Sequence, residues 1–164
     1  MPIDFHAEQN RYTYATREAD PSWARTIAAI VNPVGRRVID VGCGGRIYSH
    51  TWMRLGAARV IGIDFSVQMI QTATEGLGGV LNLFFQQGDA CATTLPSGSA
   101  DIVFARALLH HIADLSACTS EAYRLLAPGG VYIIQDRTPE DVQLEGSREH
   151  IGGFFLPDFR AYWK

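Results

Sequence analysis

One recurrence constrains this chain more than any other feature: short, nearly all-apolar runs that end on glycine, a carboxylate or another polar residue, separated by stretches of helical spacing. Arg37-Val38-Ile39-Asp40-Val41 is the first run and stops at glycines, and Val60-Ile61-Gly62-Ile63 is the second. Asn82 to Gln86, Ile102-Val103-Phe104 and Val131 to Ile134 follow. Apolar residues at consecutive rather than alternate positions suit a strand buried on both faces. Strands that alternate with helices give a doubly wound α/β domain, a mainly parallel sheet with right-handed crossovers and helices on both faces.

The intervening segments carry their own punctuation. Asp20-Pro21 reads as an N-cap followed by a first-turn proline, where the missing N–H would be unpaired anyway. Trp23, Ile27, Ile30 and Val31 then recur at helical spacing until Asn32-Pro33. Tyr48, Trp52 and Leu55 make one helical face before Gly56, and Val67 to Thr74 is a further helix. Asp114 is expected to cap a helix that turns Leu115, Cys118, Ala122, Leu125 and Leu126 inward, with Pro128-Gly129-Gly130 ending it. Residues 1–19 read as an arm or short helix. No repeat, low-complexity tract or linker divides the 164 residues, so 1–164 is expected to be a single domain.

Composition removes several functions. With 47% hydrophobic and 19% charged residues the chain is globular, and a net charge of −3 speaks against a polyanion binder. Only Lys164 is lysine among the 14 basic residues, and Arg36-Arg37 is the sole adjacent basic pair, so no nucleic-acid partner is expected. Cys43, Cys91 and Cys118 lack metal-ligand spacing, and no metal site is expected. No leader pattern opens the chain and no apolar run approaches the ~20 residues of a membrane helix. The expectation is a soluble cytoplasmic domain with no membrane partner.

In a doubly wound sheet, ligands sit beyond the carboxyl ends of the strands, where strand order reverses. Asp40-Val41-Gly42-Cys43-Gly44-Gly45 follows the first strand, and its glycines let a ligand approach the backbone. The dinucleotide pattern from Gly42 fails at Ile47, which disfavours a nicotinamide oxidoreductase. The acidic Asp40 suits a cationic ligand group or bonds to the loop backbone; a tight turn without ligand is the alternative. Asp64 lies 22 residues beyond Gly42, at the place and distance where a carboxylate accepts ribose hydroxyls, or else where it serves a helix start. Asp89 could accept from an adenine amino group while the Ala90 N–H meets a ring nitrogen; a turn aspartate is the plain alternative. Phe65 and Met69 could flank the adenine, though such residues also fill cores.

These segments together resemble a class I S-adenosylmethionine-dependent methyltransferase of the methyltransferase-11, ubiquinone/menaquinone-methyltransferase-like group. The resemblance rests on Val38-Ile39-Asp40-Val41-Gly42-Cys43-Gly44, Val60-Ile61-Gly62-Ile63-Asp64-Phe65-Ser66, Gln87-Gly88-Asp89-Ala90, Ala107-Leu108-Leu109-His110-His111-Ile112 and Leu125-Leu126-Ala127-Pro128-Gly129-Gly130, in family order across roughly residues 35 to 135. It implies a Rossmann-like sheet of order 3-2-1-4-5 and S-adenosylmethionine as cofactor. Asp40, Gly42, Cys43 and Gly44 would then hold the methionine part. Asp64 would bind the ribose, Asp89 and Ala90 the adenine, and the Arg106 segment would line the sulfonium side. Tyr14 and Arg17 could close over the methionine carboxylate. The implied activity is methyl transfer to a small-molecule acceptor by in-line displacement.

Two departures stand out. Arg46 occupies the place of a usual third glycine, where a side chain could crowd the cofactor. Only 28 residues follow Asp136, too few for the helix and strand 6–7 hairpin that complete the family sheet, so 137–164 reads as a shortened tail. These motivate a second reading, a non-catalytic S-adenosylmethionine or S-adenosylhomocysteine binder or interaction module. His110 and His111 are the clustered candidates for a base, with packing and capping as the alternative. Cys43 lies at a helix start that can lower a thiol pKa, yet it reads as a small loop residue. An unpaired fifth strand beside Phe154, Phe155, Phe159 and Trp163 suggests a homodimer through that edge and tail, or a tail folded over it.

Overall fold

A computed structural model describes residues 18–77 and 79–136. The chain runs α1 (Pro21–Ile30), β1 (Arg37–Val41), α2 (Ile47–Arg54), β2 (Arg59–Asp64), α3 (Val67–Glu75), β3 (Leu83–Gln87), β4 (Ala100–Arg106), α4 (Leu115–Leu125) and β5 (Leu126–Gln135). Every strand pair is parallel, and the sheet order is β3-β2-β1-β4-β5. The chain leaves β1 toward β2 and β3, then crosses back to β4 on the other side. The order therefore reverses between β1 and β4, and in sheets of this kind ligands bind beyond the carboxyl ends of the strands at that point.

Alternation along the strands divides the apolar residues between two layers. Val38, Val60, Leu83, Ile102, Phe104 and Ile133 pack with Trp23, Ile27 and Trp52 of α1 and α2. Ile39, Val41, Ile63 and Val103 pack with Ala122 and Leu125 of α4. In the first layer Trp23, Trp52 and Phe104 meet edge to face, with centroids 5.4 to 5.5 Å apart, an arrangement that adds about 0.5–1.5 kcal/mol per pair beyond area burial. The capping residues behave as their types dictate. The Asp20 carboxylate accepts the Ser22 N–H at 2.7 Å ahead of Pro21, and Asp114 accepts the Ala117 N–H at 2.9 Å.

Three local expectations are corrected. Leu115 is 50% exposed, because it sits on the solvent side of the first turn of α4. Leu126 is not the last helical residue: it pairs with Ala100 as the first residue of β5, and the strand passes through Pro128-Gly129-Gly130 with a register irregularity between Ala100 and Ile102. The proline and glycines do stop the helix, but extended pairing begins before them. Asn82 precedes β3 rather than opening it, since its φ of +62° is incompatible with a strand. Residues 1–17 of the arm, including Tyr14 and Arg17, and the tail 137–164 lie outside the described residues.

Candidate functional site

The loop after β1 is built by backbone bonds to β2. The N–H groups of Gly42 and Cys43 both donate to the Ile63 carbonyl, at 2.8 and 3.0 Å. This turn needs φ of +73° at Gly42, and a Cβ there would lie 2.9 Å from Leu108 Cδ1. Only glycine satisfies both conditions. At Gly44, with φ +51°, no atom lies within 4 Å of where a Cβ would stand. The loop is thus packed tightly on one side and open on the other.

Two carboxylates frame that opening. Asp64 ends β2 and accepts the Gly44 N–H at 2.8 Å and the Ser66 N–H at 2.9 Å. These two bonds order the loop against the end of β2. Asp40 is 2% exposed and accepts the Ser49 hydroxyl at 2.5 Å. Burial pushes its pKa up to about 7; the Ser49 bond opposes this, the Asp64 charge adds to it, and the Arg106 charge draws it down. The Arg106 guanidinium, at the end of β4, lies 4.5 Å over the Tyr48 ring, and its Nε is buried without a hydrogen-bond partner among the described residues.

The other expected residues divide. Phe65 is 65% exposed beside Asp64. Met69 is 2% exposed, and its side chain packs in the interior. Asp89 is exposed and Ala90 half-buried, and the Asp89 carboxylate accepts the Cys91 N–H at 2.8 Å, so it shapes its own turn. Cys43 is buried, and burial, with Asp40 and Asp64 adding, pushes its thiol pKa well up; the loop position does not activate it. Arg46 takes a left-handed φ of +84°, and its guanidinium lies against Gly76 at the C-cap of α3. That removes the expected crowding of the Gly44 opening.

His110 and His111 stand in a short 3-10 turn (Leu109–His111) beyond β4, ring centroids 4.0 Å apart. Burial lowers the His111 pKa, and the His110 charge adds to that shift. Sequence reading missed Asp136, whose Oδ1 lies 2.7 Å from His110 Nδ1. It also missed Ser49 under Asp40. Neither carries a local signal, since each meets its partner only through the fold. The described residues include no group of three or more His, Cys, Asp or Glu that could hold a metal ion. Nor do they include a helix long and apolar enough to cross a membrane.

Fold and strand order together define a Rossmann-like α/β domain with a parallel sheet of order β3-β2-β1-β4-β5. The methyltransferase domain family model matches residues 39–134, and the chain belongs to that family. It is 35% identical over 136 residues to phosphoethanolamine N-methyltransferase 1 of Arabidopsis thaliana, a match that covers 78% of this chain and 27% of that protein. It is 34% identical over 113 residues to the ubiquinone biosynthesis O-methyltransferase of Psychrobacter cryohalolentis, covering 65% of this chain and 43% of that one. A solved S-adenosylmethionine-dependent methyltransferase from Mesorhizobium loti superposes with a TM-score of 0.66 at 25% identity, over 74% of this chain and 55% of its own. The chain thus spans less than half the length of the two curated relatives.

Proposed function

We propose that this chain binds S-adenosylmethionine across the β1 and β4 ends and passes its methyl group to a small-molecule acceptor. The carrying observation is the Asp64 carboxylate bound to the Gly44 N–H at the mouth of an open glycine loop, with Asp40 buried behind it. Asp40, Gly42 and Gly44 would hold the methionine part, Asp64 the ribose hydroxyls, Phe65, Asp89 and Ala90 the adenine, and Arg106 would line the sulfonium side. Two carboxylates and open backbone suit a cationic nucleoside, and their charge disfavours a pyrophosphate. When bound, the cofactor supplies an electrophilic methyl group. The protein's part is to align the acceptor opposite the sulfur and to exclude water.

The acceptor is a small molecule by the support of the relatives, one an N-methyltransferase of phosphoethanolamine and one an O-methyltransferase of ubiquinone biosynthesis. A homodimer through the β5 edge, where Val131 and Ile134 are exposed, belongs to the same proposal and is checked by light scattering at micromolar concentration. Calorimetry with S-adenosylhomocysteine tests the cofactor reading. Asp64→Ala removes the acceptor for two hydroxyls at ~1.5–3 kcal/mol each, so affinity should fall tenfold or more. A variant within twofold of wild type, or tighter binding of NAD, refutes the assignment.

A further inference from the structure

Asp89 and Ala90, the residues assigned to the adenine, sit on a turn that closes on itself. The Cys91 N–H donates to the Asp89 carboxylate at 2.8 Å, the Ala92 N–H donates to the Asp89 carbonyl at 3.0 Å, and Asp89 and Ala92 form an antiparallel bridge. Such a turn keeps its own shape, so the direction in which its polar groups point depends on how its two ends are held. At the leading end the Gly88 N–H donates to the Asp64 carbonyl at 3.0 Å, which ties the turn to β2. At the trailing end stands Thr93, wholly buried, and its partner is a side chain of α4. Glu121 Oε1 accepts the Thr93 N–H at 2.8 Å and the Thr93 hydroxyl at 2.5 Å. The chain then reverses through Thr94 at a φ of +63°, a conformation that a β-branched residue holds only when its surroundings enforce it.

Glu121 shares the inward face of α4 with Cys118, Ala122 and Leu125. A buried carboxylate must be paired and bonded, and an apolar residue would fill the same space without that cost. Arg124 supplies the pairing: its Nε donates to Oε2 and its Nη2 to Oε1, both at 2.7 Å, and these bonds hold the carboxyl down at about pKa 2. Arg124 also donates to the Ser97 hydroxyl at 3.0 Å, and its carbonyl accepts the Gly98 N–H at 3.0 Å. The last turn of α4 thus grips the β3–β4 connection at Thr93, Ser97 and Gly98. Apolar packing has no direction, whereas two bonds to one oxygen fix the Thr93 backbone in both place and rotation. We propose that Glu121 is a positioning residue for cofactor recognition: through Thr93 it sets the Asp89–Ala90 turn against the adenine and gives the site its choice of base. This rests on the cofactor reading above. Adenine offers an amino donor beside a ring-nitrogen acceptor, and hypoxanthine offers a carbonyl acceptor beside an N–H donor, the reverse at both places. A carboxylate and an N–H held at fixed spacing accept the first and reject the second. A turn left to pivot about Gly88 keeps part of the attraction and loses the choice.

Calorimetry with S-adenosylhomocysteine and with S-inosylhomocysteine reads the choice without any catalysis. The wild type should prefer the adenine ligand by about tenfold or more. Glu121→Leu and Thr93→Val should weaken S-adenosylhomocysteine about three- to tenfold and leave S-inosylhomocysteine within about twofold. Glu121→Gln keeps an oxygen acceptor for Thr93 but loses the charge that Arg124 meets. Its melting temperature should fall while its preference stays within about twofold of wild type. Val38→Ala, a truncation in the core layer on the other face of the sheet, controls for lost stability and should keep the full preference. Relaxation dispersion of the amide nitrogens of Asp89 to Ala92 gives a second reading without ligand. Flat profiles are expected in wild type and Glu121→Gln, and microsecond-to-millisecond exchange in Thr93→Val and Glu121→Leu. Wild-type preference in Thr93→Val, or in a folded Glu121→Leu, overturns the proposal whatever the stability. So does a Glu121→Gln chain that loses preference as fully as Glu121→Leu. Failure of the wild type to bind S-adenosylhomocysteine sinks the cofactor reading, and binding without a base preference sinks the adenine assignment. Either removes the specificity role, while the dispersion profiles still decide whether Glu121 holds the turn.

Discussion

The two ends of the sheet treat charge in opposite ways. At the amino end, Arg37 opens β1 and its backbone N–H, Nε and terminal nitrogen all donate to Asp101 of β4, at 2.8, 3.2 and 2.8 Å. Those bonds hold the Asp101 carboxyl down at about pKa 2. At the carboxyl end, Asp40 has one hydroxyl partner and a pKa pushed up to about 7, Arg106 has a buried orphan Nε, and Gly42, Gly44, Arg46 and Ala107 all take positive φ. A shallow cleft of about 100 Å³ opens at the amino end, but its one carboxylate, Asp101, is already engaged. One end is arranged for the folded state alone. The other holds Arg106 Nε and a sparsely bonded Asp40 in reserve, at the end where the proposed cofactor would sit.

The largest effect should come from breaking the reserve. Asp40→Asn removes the buried charge, so S-adenosylhomocysteine affinity should fall at least tenfold while the chain at pH 8 becomes more stable than wild type, a stability–function trade. Lower affinity together with lower stability at pH 8 would show that Asp40 is structural. The pH profile sharpens the same point. A carboxyl raised from 3.8 to about 7 binds more protons folded than unfolded, so its contribution is full below about pH 4 and is lost as pH rises to 7. At 1.36 kcal/mol per unit, that loss is on the order of 4 kcal/mol, visible in urea melts between pH 4.5 and 7.5 and absent in Asp40→Asn. Asp101 and Glu121 have the opposite sign. Their carboxyls are held at about 2, by Arg37 and Arg124 respectively, so their contribution is present above pH 4 to 4.5 and lost as pH falls toward 2.

At the amino end, Asp101→Ala leaves the part-buried Arg37 N–H unpaired, which should destabilise by about 1–3 kcal/mol. Binding of S-adenosylhomocysteine below the melting range should stay within twofold; a larger loss would mean that the two ends are coupled. The smallest effect belongs to Arg46→Gly. Relief of the left-handed strain is worth about 1 kcal/mol, set against the lost contact with Gly76 and the looser unfolded chain. A melting shift of a few degrees at most, with unchanged ligand affinity, is expected. A tenfold gain in affinity would show that the Arg46 side chain does crowd the opening.

What the sequence determined by itself is what depends on near neighbours. Apolar runs and their spacing specify the strands and helices, Asp20-Pro21 and Asp114 specify helix starts, and the spacing from Gly42 to Asp64 places a carboxylate opposite a glycine loop. Each of these is a property of a few consecutive residues or of one crossover. The tertiary structure alone decided that Leu126 joins β5, that Met69 turns inward, and that Arg46 lies over α3. It alone placed Ser49 under Asp40 and Asp136 against His110, 26 residues away in sequence. The physical reason is that burial and long-range pairing set a side chain's charge state and direction, and both follow from the register between strands. A carboxylate reads the same in the sequence whether the fold meets it with a guanidinium, as at Asp101, or with one hydroxyl in a dry interior, as at Asp40.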